Sequence, residues 1–190
     1  MPSVSLPVRT ERLILRRLEE SDLDQLMAIQ SRPDIVRYLY WEPRSQEAVR
    51  RWLSLALPIP SGKVENEAFT LAAEETASGR LAGTVSLFLR SVEHRQGEIG
   101  FIFHPDFHGR GLATEASREV LRIGFQELHL HRIFGQCDGR NQSSASLMAR
   151  LGMRQEARLI QNERVKGEWT DEWIYAILAS EWRQAAHLPE

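Results

Sequence analysis

A glycine-rich turn between an apolar strand and a long amphipathic segment constrains this chain more than any other feature. The turn occupies residues 107–114 and reads FHGRGLAT, and apolar side chains recur at helical spacing through residues 111–130. Unpaired N–H groups at the beginning of a helix, together with the helix dipole, attract an anion. The turn therefore predicts a phosphate-binding site, although glycines that serve only the shape of a tight turn would look the same.

The residues of the turn indicate how a phosphate would be held. Gly109 and Gly111 let the main chain approach a phosphate closely. Ala113 keeps the next turn thin, and Arg110 adds a positive charge at its edge. No lysine follows the second glycine, as a nucleoside-triphosphatase loop requires, and Thr114 stands where a dinucleotide-binding turn has its third glycine. The sequence therefore argues against both of those nucleotide-binding classes.

The order of apolar segments predicts a sheet covered by helices on both faces. Segments with strand character are residues 11–18, 69–75, 81–90, 98–103 and 132–138, with two more between residues 154 and 179. Segments with helical spacing are residues 21–30, 45–57, 111–130 and 141–151, and residues 58–66 are a predicted loop. This order predicts an α/β (α+β) fold with a mixed, mostly antiparallel sheet.

Composition narrows the class of protein further. A chain of 190 residues with 42% hydrophobic and 26% charged residues fits one globular domain spanning residues 1–190. The formal net charge of −2 provides no general field for nucleic acid or an anionic membrane. No apolar stretch approaches the roughly 20 residues of a membrane helix, and residues 1–10 lack a signal pattern, so we expect a cytoplasmic protein. With Cys137 as its single cysteine, the chain predicts neither an internal disulfide nor a metal site.

The turn closely resembles the acetyl-coenzyme A (acetyl-CoA) pyrophosphate loop of the GNAT acetyltransferases. That loop reads Gln or Arg, two residues, Gly, one residue, then Gly or Ala, and His108 stands at the leading position here. The resemblance extends over almost the whole chain and is closest to the RimJ/RimL-like branch, the ribosomal-protein N-terminal acetyltransferases. The segments that carry it are residues 10–16 (TERLILR), 36–39 (VRYL) with Trp41, 98–101 (EIGF), Asn141, Ser144, 151–153 (LGM), Asp171 and Tyr175.

The resemblance implies a GNAT fold with splayed central strands and acetyl-CoA as co-substrate, without a metal. It further implies transfer of the acetyl group to a primary amine, either a protein N-terminus or a small amine, by direct attack in a ternary complex. Backbone groups of Ile102 and Phe103 would pair with the pantetheine arm, and Asn141 would bond to the same arm or serve only as an N-cap. The other cofactor contacts implied are His108, Gly109, Arg110, Gly111, Ala113, Thr114 and Ser144.

Acetyl transfer requires a neutral amine, so a carboxylate must accept a proton directly or through water. Glu98, at the beginning of the central strand, is the first candidate for this base. Its rivals are Asp171, Glu172, Glu163 and Glu168. The Ser144 hydroxyl is expected near the sulfur, where it could protonate the departing thiolate.

Several residues are expected around the acceptor, and two alternatives stay open. Tyr38, Trp41 and Asp171 are expected to bind the acceptor. Tyr40 and Glu42 are expected to line its entrance together with Tyr38 and Trp41, although these side chains could equally serve hydrophobic packing. A non-catalytic acyl-CoA sensor or interaction module would keep the same cofactor half without acceptor chemistry. A homodimer is common among relatives, but no segment of the sequence identifies an interface.

Overall fold

The strands described for this protein pair into one eight-stranded sheet. The computed structural model describes residues 4–58 and 64–185. Its strands are β1 (Val8–Arg9), β2 (Leu13–Arg17), β3 (Ala68–Glu75), β4 (Leu81–Ser91), β5 (Gln96–Phe103), β6 (Arg132–Asp138), β7 (Arg154–Val165) and β8 (Glu168–Leu178). Their order across the sheet is β1-β2-β3-β4-β5-β6-β8-β7, and only β5 and β6 pair in parallel. The expected α/β fold with a mixed, mostly antiparallel sheet is confirmed.

Helices cover both faces of this sheet. They are α1 (Leu23–Gln30), α2 (Pro33–Val36), α3 (Gln46–Ala56), α4 (Leu112–Arg122), α5 (Gln142–Arg150) and α6 (Ala179–Ala185). One core lies between the sheet and α1 with α3, where Leu26 and Val49 are fully buried. A larger core lies between the sheet and α4 with α5, where Leu112 and Ile133 are fully buried. Across the described residues, no helix is long and apolar enough to cross a membrane.

The long helix after the glycine turn is confirmed, with one difference. Gly111 is the N-cap of α4, and the helix widens into a π-helical turn at Ile123–Glu127 before it ends. The two-residue β1 and the C-terminal α6 did not follow from the sequence pattern, since both are too short to show a clear period. Within the predicted loop 58–66, residues 59–63 lie outside the described residues.

The central strands β5 and β6 diverge, and this opens a gap in the sheet. Their described pairing stops after three residues, namely Gln96–Arg132, Gly97–Ile133 and Glu98–Phe134. Beyond this point β5 continues beside β4, and β6 continues beside β8. The splayed central strands expected from the resemblance are therefore confirmed, and the gap lies at the carboxyl ends of both strands.

Candidate active site

The glycine turn presents a row of backbone N–H groups at the beginning of α4. Gly109 and Gly111 adopt φ values of +70° and +78°, a region that glycine enters without strain. Gly111 provides no side-chain cap for the helix. In the part of the chain that the structure describes, the N–H groups of residues 109–114 donate no hydrogen bond. These donors and the helix dipole suit an anion the size of a diphosphate.

The side chains at the edges of the turn are held by the protein itself. The His108 Nε2 atom lies 2.8 Å from the Phe103 carbonyl oxygen and closes the turn onto the end of β5. The Arg110 guanidinium forms an ion pair with the buried Glu75 and lies beside the Phe107 ring. The positive charge expected at the phosphate is therefore already paired, so the backbone donors are the main feature that the turn offers to an anion.

The exposed edge of β5 provides a second set of backbone groups. Residues of an antiparallel ladder direct their backbone groups alternately to one neighbour and to the other. The hydrogen bond from His104 N to Ala82 O, at 2.8 Å, shows that Phe103 turns its N–H and carbonyl away from β4. Ile102 pairs with Thr84 and directs its backbone groups toward β4. Of the two residues expected at the pantetheine arm, Phe103 therefore faces the gap with its backbone and Ile102 does not.

The first turn of α5 lies on the same face of the sheet as the glycine turn. The Asn141 side chain accepts a hydrogen bond from Ser144 N at 3.1 Å, so Asn141 is the N-cap of α5. α5 packs closely on β6, because a Cβ at Gly135 would lie 2.7 Å from the Met148 sulfur. Among the described residues the half-buried Ser144 hydroxyl makes no hydrogen bond, so it is available to a ligand.

Thr114 is placed differently from the other expected cofactor contacts. Its side chain is buried, and its hydroxyl lies 3.4 Å from Arg150 Nε, across the contact between α4 and α5. A ligand would therefore meet the backbone N–H of Thr114 rather than its hydroxyl. Ala113 is half-buried and packs against the core between the sheet and these two helices.

The opposite face of the sheet carries a group of carboxylates beside the gap. Glu172 on β8 is paired in register with Asp138, the last residue of β6, so their side chains share a face. Phe134 lies four residues before Asp138 on β6, so its side chain is on the same face as that of Asp138. Glu98 on β5 is the register partner of Phe134. Glu98 and Glu172 therefore stand on the α1 and α3 face, on opposite sides of the divergence between β5 and β6.

Asp138 and Glu172 are the buried members of this group, and of these two only Glu172 lacks a cationic partner among the described residues. Its Oε1 accepts a hydrogen bond from the Tyr40 hydroxyl at 3.1 Å, and its Oε2 accepts one from Asn162 at 2.8 Å. Burial raises the pKa of Glu172 above its ordinary value, the Tyr40 hydrogen bond opposes this, and the charges of Glu163 and Glu98 raise it further. Burial and the adjacent Glu163 likewise raise the pKa of Tyr40. Such a carboxylate accepts a proton more readily than an exposed glutamate does.

Three of the other candidate bases, Glu98, Glu168 and Asp171, are each held by a cation or a backbone N–H. Glu98 pairs with Arg90, with 2.6 Å between its Oε2 and Arg90 Nε. Glu168 pairs with the Arg140 guanidinium. The Asp171 Oδ1 atom accepts the backbone N–H of Gln161 at 2.9 Å.

Asp171 also differs from Glu172 in its direction. Because side chains alternate along a strand, Asp171 lies on the opposite face of β8 from Glu172. Asp171 therefore lies away from the carboxylates at the gap, although the sequence analysis expected it to bind the acceptor. Glu163, in contrast, neighbours the Tyr40 hydroxyl.

The segment after α2 covers this group of carboxylates through Tyr40. The Tyr40 hydroxyl contacts Glu172, whereas the Trp41 ring stacks with the Arg44 guanidinium, whose central carbon lies 4.1 Å from the centre of the ring. The Tyr38 ring lies 5.2 Å from the Arg37 guanidinium and 5.8 Å from that of Arg140. The sequence pointed to this segment, but the residue that reaches the site could not be selected from three adjacent aromatic residues.

Cys137, the single cysteine of the chain, is buried in the core. Burial raises the pKa of the Cys137 thiol to about 11, so it is protonated at neutral pH. Within the described ranges, no group of three or more His, Cys, Asp and Glu side chains is placed to hold a metal ion.

Comparisons with known proteins identify relatives of the chain. Residues 12–154 match the family described as "Acetyltransferase (GNAT) domain". An uncharacterized N-acetyltransferase of Bacillus subtilis (strain 168), YnaD, is 30% identical over 176 residues, covering 92% of this chain and 98% of the relative. Spermidine N(1)-acetyltransferase of Escherichia coli (strain K12) is 27% identical over 155 residues, covering 82% and 80%. The crystal structure of a GNAT-family acetyltransferase from Bacillus anthracis superposes with a TM-score of 0.81 at 28% identity, covering 91% of this chain and 98% of that one.

Proposed function

Because this chain belongs to the GNAT family of acetyltransferases and is an acetyl-CoA-dependent N-acetyltransferase, we propose that its acceptor is a small amine with a second positive charge. The observation that carries the proposal is the charge of the acceptor face. Within residues 4–58 and 64–185, neither Glu163 nor Glu172 forms an ion pair with a basic side chain. Their neighbours Glu98 and Asp138 are paired with Arg90 and Arg140.

Two unpaired carboxylates at one site favour a cationic ligand. Both neighbour the Tyr40 hydroxyl, and the charge of Glu163 raises the pKa of Glu172. An acceptor with a second ammonium group would neutralise Glu163 while its reacting amine lies at Glu172. A single ammonium group would leave one of the two carboxylates unpaired.

The comparisons support this choice of acceptor without deciding it. The relative from Escherichia coli is named for spermidine, a small amine with several positive charges. The resemblance of the first and last strands to the RimJ/RimL-like branch supports a protein N-terminus instead. The pair of carboxylates favours the first alternative, because a peptide N-terminus carries one positive charge.

Acetyl-CoA supplies the acetyl group as an activated thioester, and the geometry fits it on the α4 and α5 face. The backbone N–H groups of residues 109–114 would bind the diphosphate. The Phe103 N–H, which points away from β4, would pair with a pantetheine carbonyl, and the Phe103 carbonyl, already 2.8 Å from His108 Nε2, would accept a second hydrogen bond from a pantetheine amide; this places the thioester in the gap. Asn141 caps α5, and its neighbour Ser144 would lie beside the sulfur.

The acceptor would enter from the α1 and α3 face and meet the thioester in the gap. Glu172 accepts a proton from the ammonium group, so the nitrogen lone pair can form a bond to the acetyl carbon. The carbon–sulfur bond breaks, and the Ser144 hydroxyl donates a hydrogen bond and then a proton to the departing sulfur. The second proton of the nitrogen passes to solvent, Glu172 releases the proton that it accepted, and the serine is reprotonated from solvent. Holding both reactants together supplies a large share of the rate enhancement.

An amine panel tests the proposed acceptor. Release of free thiol from acetyl-CoA is measured with three acceptors. Spermidine carries several positive charges, butylamine is an unbranched alkylamine with one positive charge, and a tetrapeptide presents a free N-terminus. We expect kcat/KM for spermidine to exceed that for butylamine by at least about tenfold, the effect of about 1.4 kcal/mol from one added ion pair. Glu163→Gln is expected to reduce this preference.

The result that contradicts the proposal is equally direct. If the tetrapeptide is the best substrate, or if spermidine and butylamine react equally well, the second-charge proposal is wrong and the acceptor is a singly charged amine. If Glu163→Gln leaves the preference for spermidine unchanged, the second charge is bound elsewhere.

Replacing one glycine of the turn tests the proposed cofactor site. Gly109→Ala places a methyl group at φ +70° in open space, so it strains the turn that aims the N–H groups. We expect the Kd for CoA, measured by calorimetry, to rise about tenfold, as when one hydrogen bond to a charged group is weakened.

Gly167→Ala is the matched control for this replacement. Gly167 has φ +87° and equally open space around an added Cβ, but it lies in the turn between β7 and β8. Both variants should lose a similar amount of stability, and only Gly109→Ala should weaken CoA. Equal Kd values for the two variants would refute the assignment of the turn.

A further inference from the structure

The glycine turn is held from outside by residues that precede the first long strand. Glu115, in the first turn of α4, accepts three hydrogen bonds from this segment and forms an ion pair with Arg12. Its Oε1 accepts the Thr10 hydroxyl at 2.6 Å and the Arg12 backbone N–H at 2.8 Å. Its Oε2 accepts Arg12 Nε at 2.8 Å and lies 2.7 Å from Arg12 Nη2. The beginning of α4 is therefore joined to a segment more than 100 residues away in sequence.

The same guanidinium also binds the turn itself. Arg12 Nη1 donates a hydrogen bond to the carbonyl oxygen of Arg110 at 2.7 Å. Arg110 is the residue between the two glycines of positive φ, so its carbonyl direction decides the direction of the adjacent N–H groups. One side chain thus fixes both the turn and the helix that follows it.

A second ion pair holds the turn from the neighbouring side. Glu75 pairs with the Arg110 side chain and accepts a hydrogen bond from the Ser78 hydroxyl at 2.6 Å. These two hydrogen bonds lower the pKa of Glu75. Next to it, the Thr76 N–H bonds to the Arg12 carbonyl at 3.0 Å, so the two ion pairs belong to one connected unit.

We propose that Arg12 and Glu115 are positioning residues that fix the glycine turn in its binding geometry before acetyl-CoA arrives. The inference rests on the proposed cofactor role of the turn. Neither residue has to contact the co-substrate, because their bonds are to the carbonyl side of the turn and to each other. Without them, binding would have to order the turn, and this cost would weaken the affinity without changing the chemical step.

Arg12→Gln and Glu115→Gln test this role. Each removes the charge and keeps most of the side-chain volume. We expect the Kd for CoA and the KM for acetyl-CoA to rise about tenfold, as when binding must order one or two more backbone residues. We expect kcat to stay within about twofold, and amide hydrogen exchange to become faster at residues 109–114, since the turn would open more often.

Arg16→Gln is the matched control, because Arg16 pairs with Asp22 and Glu74 and makes no contact with the turn. It should lower Tm and leave the Kd for CoA unchanged. Arg12→Lys keeps the charge but cannot bind Glu115 and Arg110 together, so it should restore the affinity only in part.

Each outcome of these measurements has a distinct meaning. If Gly109→Ala weakens CoA and both Arg12→Gln and Glu115→Gln do not, the positioning role is wrong and the assignment of the turn stands. If none of the three variants weakens CoA, the turn is not the cofactor site and the positioning role fails with it. If kcat falls while KM is unchanged, the pair acts on the reaction, which also contradicts the inference. Glu115→Gln decides the matter if Arg12→Gln does not fold.

Discussion

Glu172→Gln is expected to lower kcat by at least about a hundredfold, the lower end of the range for loss of a general base. Glutamine keeps an acceptor for the Tyr40 hydroxyl and nearly the same volume, but it cannot take a proton. The measurement is thiol release at saturating acetyl-CoA and amine. The Kd for CoA should be unchanged, because Glu172 lies on the face opposite the glycine turn.

The pH dependence of the same variant provides a second readout. Since burial raises the pKa of Glu172, the rate of the parent enzyme should fall on acidification at a higher pH than the pKa of an ordinary glutamate. Glu172→Gln should lose this acidic limb. Glu98→Gln is the comparison that separates the two candidates. If Glu98→Gln abolishes turnover and Glu172→Gln does not, the base is Glu98, as first expected from the sequence.

Stability should move in the opposite direction to activity. The pKa of Glu172 is raised in the folded state, so its contribution to the free energy of unfolding is present below the unfolded-state pKa and is lost as pH rises through the folded-state pKa. At pH 8, glutamine should therefore preserve or raise Tm. A large fall in Tm would indicate that the loss of activity reflects misfolding.

Ser144→Ala is expected to lower kcat about a hundredfold, the lower end of the range for loss of a general acid, because a thiolate is a tolerable leaving group even without a proton donor. The Ser144 hydroxyl makes no hydrogen bond within the described residues, so its removal leaves no buried partner unsatisfied. Tm should stay nearly constant. The measurement is again thiol release at saturation.

Ser143→Ala is the matched control for the serine, because Ser143 is exposed in the same turn of α5. Its kcat should equal that of the parent. Normal turnover in Ser144→Ala would remove the proposed role of this hydroxyl.

Much of the fold was predictable because strong local patterns agree with the tertiary structure. The strand at residues 132–138 and the helix that Asn141 caps occur as predicted. The glycine turn was predictable for the same reason, since its positive φ values are a local requirement that glycine meets. The strand pair of the tail is also confirmed, with its turn at Lys166 and Gly167, both of positive φ.

The contacts that the sequence did not predict lie between segments that are distant in sequence. Arg110 was expected to add a positive charge at the edge of the phosphate site, and Glu75 at the end of β3 pairs with its guanidinium. Ile102 was expected at the gap, but the register between β4 and β5 directs its backbone groups away. Asp171 was expected to bind the acceptor. Side chains alternate along β8, however, so Glu172 lies on the α1 and α3 face and Asp171 lies on the other.

The sequence by itself determined the order of the elements, the left-handed glycine turn and the family resemblance, because periodicity, capping and turn chemistry act over a few residues. Only the tertiary structure decided which carboxylate is buried, which aromatic residue reaches it and which arginine holds the turn. Those properties depend on strand register and on desolvation by side chains from other parts of the chain. No local pattern encodes that Tyr40 meets Glu172, or that Arg12 meets Glu115.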